Sequence, residues 1–188
     1  YKRQILDGAP TATLLIQGRQ LAQPDVRAVF EARLDASGMD RSRVTLGLPK
    51  SRADYLAQYG EIDVLLDTFP YPGGTTTCEA IWMGVPTLTL ATPGMLGRQG
   101  QALLHNVGLD DWITDSDEAY VKRALALAKD RKGTLALLRR LRASLRETAR
   151  TSPLFDAEGF ARDFEALLRQ ACSETGAGVA KSPSAGAP

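Results

Sequence analysis

Short apolar runs alternate with stretches of helical spacing along the first ninety residues. Thr13 to Gly18 is an apolar run closed by glycine, the pattern of a buried strand. Asp25 to Ser37 carries Val26, Val29, Phe30 and Leu34 at helical spacing after the start signal Pro24-Asp25, and Gly38 ends it. Val44 to Gly47 predicts a second strand, Ser51 to Tyr59 a helix capped by Ser51, and Val64 to Asp67 a third strand. A Pro/Gly-rich turn, a short helix closed by Gly84 and a strand over Val85 to Leu90 follow. Strand and helix in alternation predict an α/β fold, a Rossmann-like parallel sheet with helices on both faces. Ligands in such sheets sit beyond the carboxyl ends of the strands. Leu48 to Lys50, Thr68 to Thr77 and Ala91 to Gln99 all leave strands at that edge.

Helices dominate from Arg98 onward. Gln101 to Val107 is short; Ser116 to Arg131 has Tyr120, Val121, Leu125 and Ala128 on its apolar face. Thr134 to Arg150 sets Leu138, Leu141 and Leu145 on one side and Arg139, Arg142, Arg146 and Arg150 on another, a basic stripe that reads first as a solvated face and second as a contact for an acidic partner. Asp156 to Gln170 is the last predicted helix, with Phe160, Phe164, Leu167 and Leu168 spaced to pack on the body. The organisation expected is one lobe over residues 1–171 and a disordered Gly/Ala/Ser/Pro tail over 172–188. The opening Tyr1 to Gly8 reads as the last turns of a helix, which suggests a fragment of a longer protein.

Composition narrows the classes. A net charge of +1 gives no global pull toward nucleic acid or an anionic membrane, and no apolar run nears the length of a membrane span. Two cysteines, Cys78 and Cys172, do not make a disulfide framework, so a reducing, cytoplasmic setting is expected. No metal-ligand spacing is present. His105, the single histidine, lacks a Ser, Cys or Asp constellation; Cys78 lacks a His partner; Trp82 and Trp112 read as core.

The stretch with the most chemistry is Asp67-Thr-Phe-Pro-Tyr-Pro-Gly-Gly-Thr-Thr-Thr-Cys-Glu79. Gly73 and Gly74 let backbone amides approach a ligand, and Thr75, Thr76 and Thr77 stand where a helix begins. The first amides of a helix lack internal partners and carry partial positive charge, so an anion is the natural occupant. Glu79, one turn on, would be repelled by phosphate but can accept from ribose hydroxyls. A nucleoside diphosphate satisfies both. The competing reading is a capping box, in which Thr76 caps the helix and Glu79 folds back to the Thr76 amide; spacing leaves both open. Lys50 reads equally as a phosphate or base contact and as a surface lysine, and Arg98 is a weaker rim candidate.

That stretch, with Trp82-Met83-Gly84-Val85-Pro86, Gly97-Arg98, Gly108-Leu109 and Ser152-Pro153-Leu154-Phe155, resembles the O-GlcNAc transferase and SPINDLY family of protein O-glycosyltransferases over nearly the whole chain up to the tail. The resemblance implies the C-terminal lobe of a GT-B glycosyltransferase, acting as an inverting, metal-independent enzyme that moves one sugar to Ser or Thr of proteins. It implies donor binding by Gly73, Gly74, Thr75, Thr76 and Thr77, with Thr75 and Thr76 on the pyrophosphate, Glu79 on the ribose, and Leu48, Pro49 and Lys50 on the base. Family members commonly carry histidine at Gly74 and aspartate at Glu79 in the O-GlcNAc branch, whereas Thr-Thr-Thr-Cys-Glu resembles the SPINDLY branch. UDP-GlcNAc is the expected donor and GDP-fucose the alternative; an inert glycosyltransferase-like binding module is the rival. No cofactor, nucleic acid or membrane partner is implied, acceptors would come through another lobe and repeats, and no catalytic base is assigned.

Overall fold

Every strand pairing in the computed structural model, which describes residues 1–48 and 51–179, is parallel. The elements are α1 (Lys2–Gly8), β1 (Leu14–Gln17), α2 (Pro24–Ala36), β2 (Val44–Gly47), α3 (Arg52–Ala57), β3 (Leu65–Leu66), α4 (Thr75–Trp82), β4 (Thr87–Leu90), α5 (Gln99–His105), β5 (Ile113–Thr114), α6 (Asp117–Lys129), α7 (Arg131–Arg150) and α8 (Ala157–Val179). β1 pairs with β2, and β3-β4-β5 form a second ladder in that order. The alternation was therefore legible, but the strands form two ladders, and β5 falls in a region that reads as purely helical.

β4 is the centre of the larger ladder. All four of its residues are buried, as expected of an interior parallel strand with covered faces. Leu88 and Leu90 join Ile81, Leu104, Trp112, Tyr120, Leu138 and Leu145 in the main core, while Leu34, Met39 and Leu6 form a smaller core under β1 and β2. α1 joins the two: Ile5 packs into the larger and Leu6 into the smaller. The Arg43 guanidinium donates to the carbonyls of Leu6 and Ala9 and fixes β2 to that helix.

α4 ends in a Schellman motif. Gly84, at φ +76°, donates to Ile81 O, and Val85 donates to Ala80 O. α7 lies directly against this turn. Arg146 Nε donates to Trp82 O at 2.7 Å, and Arg142 donates to Tyr59 O and Ile62 O at 3.1 and 2.6 Å. Half of the basic stripe thus donates to carbonyls that the ends of α4 and the Gln58–Glu61 turn leave open, while all four of its arginines stay exposed, as expected of a solvated face.

Three further expectations change. Trp112 is core, but Trp82 is 37% exposed, packed on Phe155 and under the Arg146 guanidinium. α8 runs on to Val179, past the predicted end at Gln170 and through the first residues assigned to the tail. Its apolar face does not pack on the body: Phe160, Phe164, Leu167 and Leu168 are all at least half exposed, because α8 leaves the body at the Pro153–Phe155 turn and touches it chiefly there.

Gly84 and Gly38 provide a test of the α4–α7 contact. Both have positive φ, but a Cβ on Gly84 would lie 2.9 Å from Arg142 O, whereas nothing lies within 4 Å of one on Gly38. Gly38→Ala should cost about 1–2 kcal/mol from the left-handed backbone alone. Gly84→Ala should cost clearly more, as measured by urea denaturation; equal losses would show that α7 yields freely.

Candidate functional site

The loop between β3 and α4 is built on Asp67, which ends β3 and is 4% exposed. Its Oδ1 accepts from the amides of Gly73 at 2.7 Å and Thr68 at 3.0 Å, and its Oδ2 accepts from Thr89 Oγ1 of β4 at 2.7 Å. Its carbonyl accepts from Tyr120 Oη of α6 at 2.9 Å. The ring of Phe69 stacks on Tyr1 and meets Tyr120 edge-on, pinning the turn into the core, and Phe69-Pro70 is cis. Burial pushes the Asp67 carboxyl above its ordinary range although three hydrogen bonds pull it down. Desolvation outweighs the bonds, so the chain accepts a cost at Asp67 to hold this loop.

These bonds sort the predicted donors into spent and unspent. The Gly73 amide is spent on Asp67, and the fully buried Thr77 hydroxyl is spent on Gly73 O at 2.9 Å. Both shape the loop. Gly74 is the N-cap of α4 and offers no side chain, and the first helical bond runs from Cys78 N to Gly74 O. The amides of Gly74, Thr75, Thr76 and Thr77 therefore have no acceptor among the described residues, and the side chains of Thr75 and Thr76 are exposed beside them. Thr76 is not the cap, since it lies inside the helix, and the capping-box reading falls with it.

Glu79 turns the other way, toward α3. Its Oε2 accepts from Tyr55 Oη at 2.7 Å and its Oε1 meets Arg52 Nη1 at 2.6 Å. Tyr55 Oη lies 2.9 Å from Tyr59 Oη, which also reaches Thr76 O at 3.3 Å. Because Tyr55 gives its proton to Glu79, the single Tyr59 proton is shared between Tyr55 Oη and Thr76 O. Burial first, then mutual hydrogen bonding, pushes the Tyr59 phenol far above its ordinary value, so both rings stay neutral donors. Arg52 is 65% exposed and its ion pair adds little stability; Tyr55 is the firmer anchor. Each carboxylate oxygen keeps a further lone pair, with the Glu79 side chain 11% exposed.

α3 follows directly from the loop after β2, and its Ser51 cap accepts from Asp54 N as the sequence predicts. Leu48 leaves β2 exposed on that loop, while Pro49 and Lys50 lie outside the described residues. Arg98 is the exposed residue before α5. His105 pairs with Asp110 on the surface at 2.6 Å, away from this loop. Burial and the neighbouring Glu79 carboxylate push the Cys78 thiol up, the wrong direction for a nucleophile. Among the described residues no cluster of three or more His, Cys, Asp or Glu side chains is placed to hold a metal ion.

Sequence reading missed Arg52, Tyr55, Tyr59 and the role of Asp67. Tyr55 and Tyr59, four apart on one helical face, were the available signal. Asp67 at a strand end gave none, because its partners are 6 and 22 residues away.

Parallel strands, a glycine loop after one of them and a helix N-terminus with unpaired amides define an α/β lobe of the nucleotide-binding type. The model described as glycosyl transferase family 41 matches residues 4–164. The chain belongs to that family. It is 36% identical over 167 residues to a probable UDP-N-acetylglucosamine–peptide N-acetylglucosaminyltransferase SPINDLY of Solanum lycopersicum, covering 88% of this chain and 18% of that protein. It is 27% identical over 133 residues to the UDP-N-acetylglucosamine–peptide N-acetylglucosaminyltransferase of Caenorhabditis elegans, covering 71% and 11%. A mutant O-GlcNAc transferase of Thermobaculum terrenum superposes with a TM-score of 0.81 at 35% identity, over 93% of this chain and 34% of that one. The expected GT-B relationship and parallel α/β fold are met, and the chain spans about a fifth of the SPINDLY proteins it matches.

Asp67 gives a pH test. A carboxyl whose folded pKa is raised holds its proton more tightly when folded, so its stability contribution is complete below the unfolded value of about 3.9 and is lost as pH rises through the folded one. Nearby titratable groups do not interfere: burial pushes Tyr1 up to about 12 and raises Tyr120 as well, so both stay neutral. In urea titrations of wild type and Asp67→Asn, the stability of wild type relative to the variant should fall as pH rises from the acid side to neutrality. A flat or rising difference would contradict a desolvated carboxylate.

Proposed function

We propose that this chain is the donor-nucleotide lobe of a protein O-glycosyltransferase that transfers GlcNAc from UDP-GlcNAc to Ser or Thr. The observation that carries the reading is the set of unpaired amides at Gly74 to Thr77, with exposed Thr75 and Thr76 side chains and the Glu79 carboxylate one turn on, in a member of glycosyl transferase family 41. The donor diphosphate lies on the amides, and the acceptor hydroxyl oxygen attacks the anomeric carbon. The bond from that carbon to the diphosphate breaks, its electron pair leaves with the phosphate, and the hydroxyl proton passes to a base outside the residues assigned here. Helix-terminal amides and hydroxyls stabilise the charge gathering on the leaving group, with inversion and without a metal. GDP-fucose is the second donor reading, favoured by the SPINDLY-like Thr-Thr-Thr-Cys-Glu run, whereas the names of relatives at 34–36% identity specify UDP-N-acetylglucosamine and favour the first. Two free cysteines fit a reducing cytoplasm.

The test is a titration of UDP and GDP, separately, into the isotope-labelled chain, followed at the amides of Gly73 to Glu79. Shifts with UDP alone support the GlcNAc donor and with GDP alone the fucose donor. Glu79→Ala should weaken binding by roughly tenfold or more, the worth of a charge-assisted hydrogen bond. Silence of these amides toward both nucleotides would overturn the donor reading.

A further inference from the structure

A residue without an assigned role reaches the loop from the neighbouring helix. A Cβ built on Gly74 would lie 2.6 Å from Gln99 Nε2 and 3.3 Å from its Cδ, so the Gln99 carboxamide occupies the space a side chain at position 74 would take. Its backbone is firmly placed. Gly97 and Gly100 on either side are buried, a Cβ on Gly97 would meet Thr92 Oγ1 at 2.0 Å, and one on Gly100 would meet Thr89 Oγ1 at 2.2 Å and Asp67 Oδ2 at 2.7 Å. The close packing that sets the Asp67 loop therefore also sets the start of α5. Between those buried glycines Arg98 and Gln99 are exposed, and the Gln99 side chain has no hydrogen-bond partner among the described residues.

We infer that Gln99 is a donor-binding residue whose carboxamide NH2 hydrogen-bonds the diphosphate of the nucleotide sugar from the α5 side of the loop. The inference rests on the proposed donor site and adds a residue to it. The groups gathered at Gly74 are unspent donors: four amides, the Thr75 hydroxyl and this carboxamide. An anion is the partner such a set selects. Glycine at 74 has a positive reason here: it leaves room for a side chain supplied by α5.

The experiment uses the 188-residue chain with UDP, GDP and their unphosphorylated nucleosides as probes. The side-chain NH2 signals of Gln99, assigned by their disappearance in Gln99→Ala, should shift with the diphosphate that binds and stay still with its nucleoside. Gln99→Ala should raise the diphosphate Kd by about tenfold, and Gln99→Glu by more, because a carboxylate repels the phosphate. A purely structural side chain would tolerate the near-isosteric glutamate. Unmoved NH2 signals in wild type while the loop amides respond, or a Gln99→Ala Kd within about twofold, would overturn this inference and leave the donor site standing. Absence of any response in wild type would overturn both, and the two failures are distinguished in the same titration. The NH2 readout is made on wild type, so it holds even if a variant folds poorly.

Discussion

One buried carboxylate sets the geometry of this site. Asp67 binds the end of β3, the glycine loop, β4 and the approach of α5, and its own carbonyl is tied to α6. Burying a carboxylate costs several kcal/mol, and three hydrogen bonds from amides and a hydroxyl offset only part of that. The raised pKa records the remainder. A loop closed by apolar packing would be cheaper but would not dictate the direction of each amide. Asp67 takes the Gly73 N–H, Thr77 takes the Gly73 carbonyl, and the chain is thereby forced to point its next four N–H groups away from both.

The helix carrying those amides is held at both ends. At its C-terminus the Schellman turn and Arg146 satisfy the last carbonyls; along its flank Tyr55 and Tyr59 fix Glu79 and touch the Thr76 carbonyl. α3 and α7 therefore both support α4. This arrangement also weighs against a scaffold role for the basic stripe. Arg142 and Arg146, though exposed, donate to carbonyls, and Arg150 is paired with Glu147, which leaves Arg139 as the stripe residue without a protein partner among the described residues. With three of its four arginines so engaged, the stripe itself has a weak claim to an acidic partner.

Much of this was legible in the sequence because it is local. Apolar runs give strands, 3.6-residue spacing gives helices, and Gly73-Gly74-Thr75 marks a strand-to-helix turn by chemistry within a few residues. What was not legible depends on pairs distant along the chain. Thr77 and Thr76 have the same side chain, yet one is buried on a carbonyl and the other exposed, and only helix phase relative to the core decides which. The α8 stripe has the right period and still packs on nothing in the body, because periodicity reports a face and not its occupant. β5, two residues long, is too short to produce a period at all.

The division of donors also bears on what the site can hold. A bare inorganic anion would satisfy the amides but would sit one helical turn from the Glu79 carboxylate, whose repulsion is only partly cancelled by an exposed Arg52. On the proposed donor reading, a sugar between the anion and that carboxylate would convert the repulsion into hydrogen bonds, with hydroxyls donating to lone pairs that Tyr55 and Arg52 leave free. The proposed site would therefore favour an anion with a vicinal diol attached at a fixed distance over either group alone. Neither the amide cluster nor Glu79 would require this by itself; it follows from their lying on one helix, one turn apart, with Tyr55 preventing the carboxylate from swinging away.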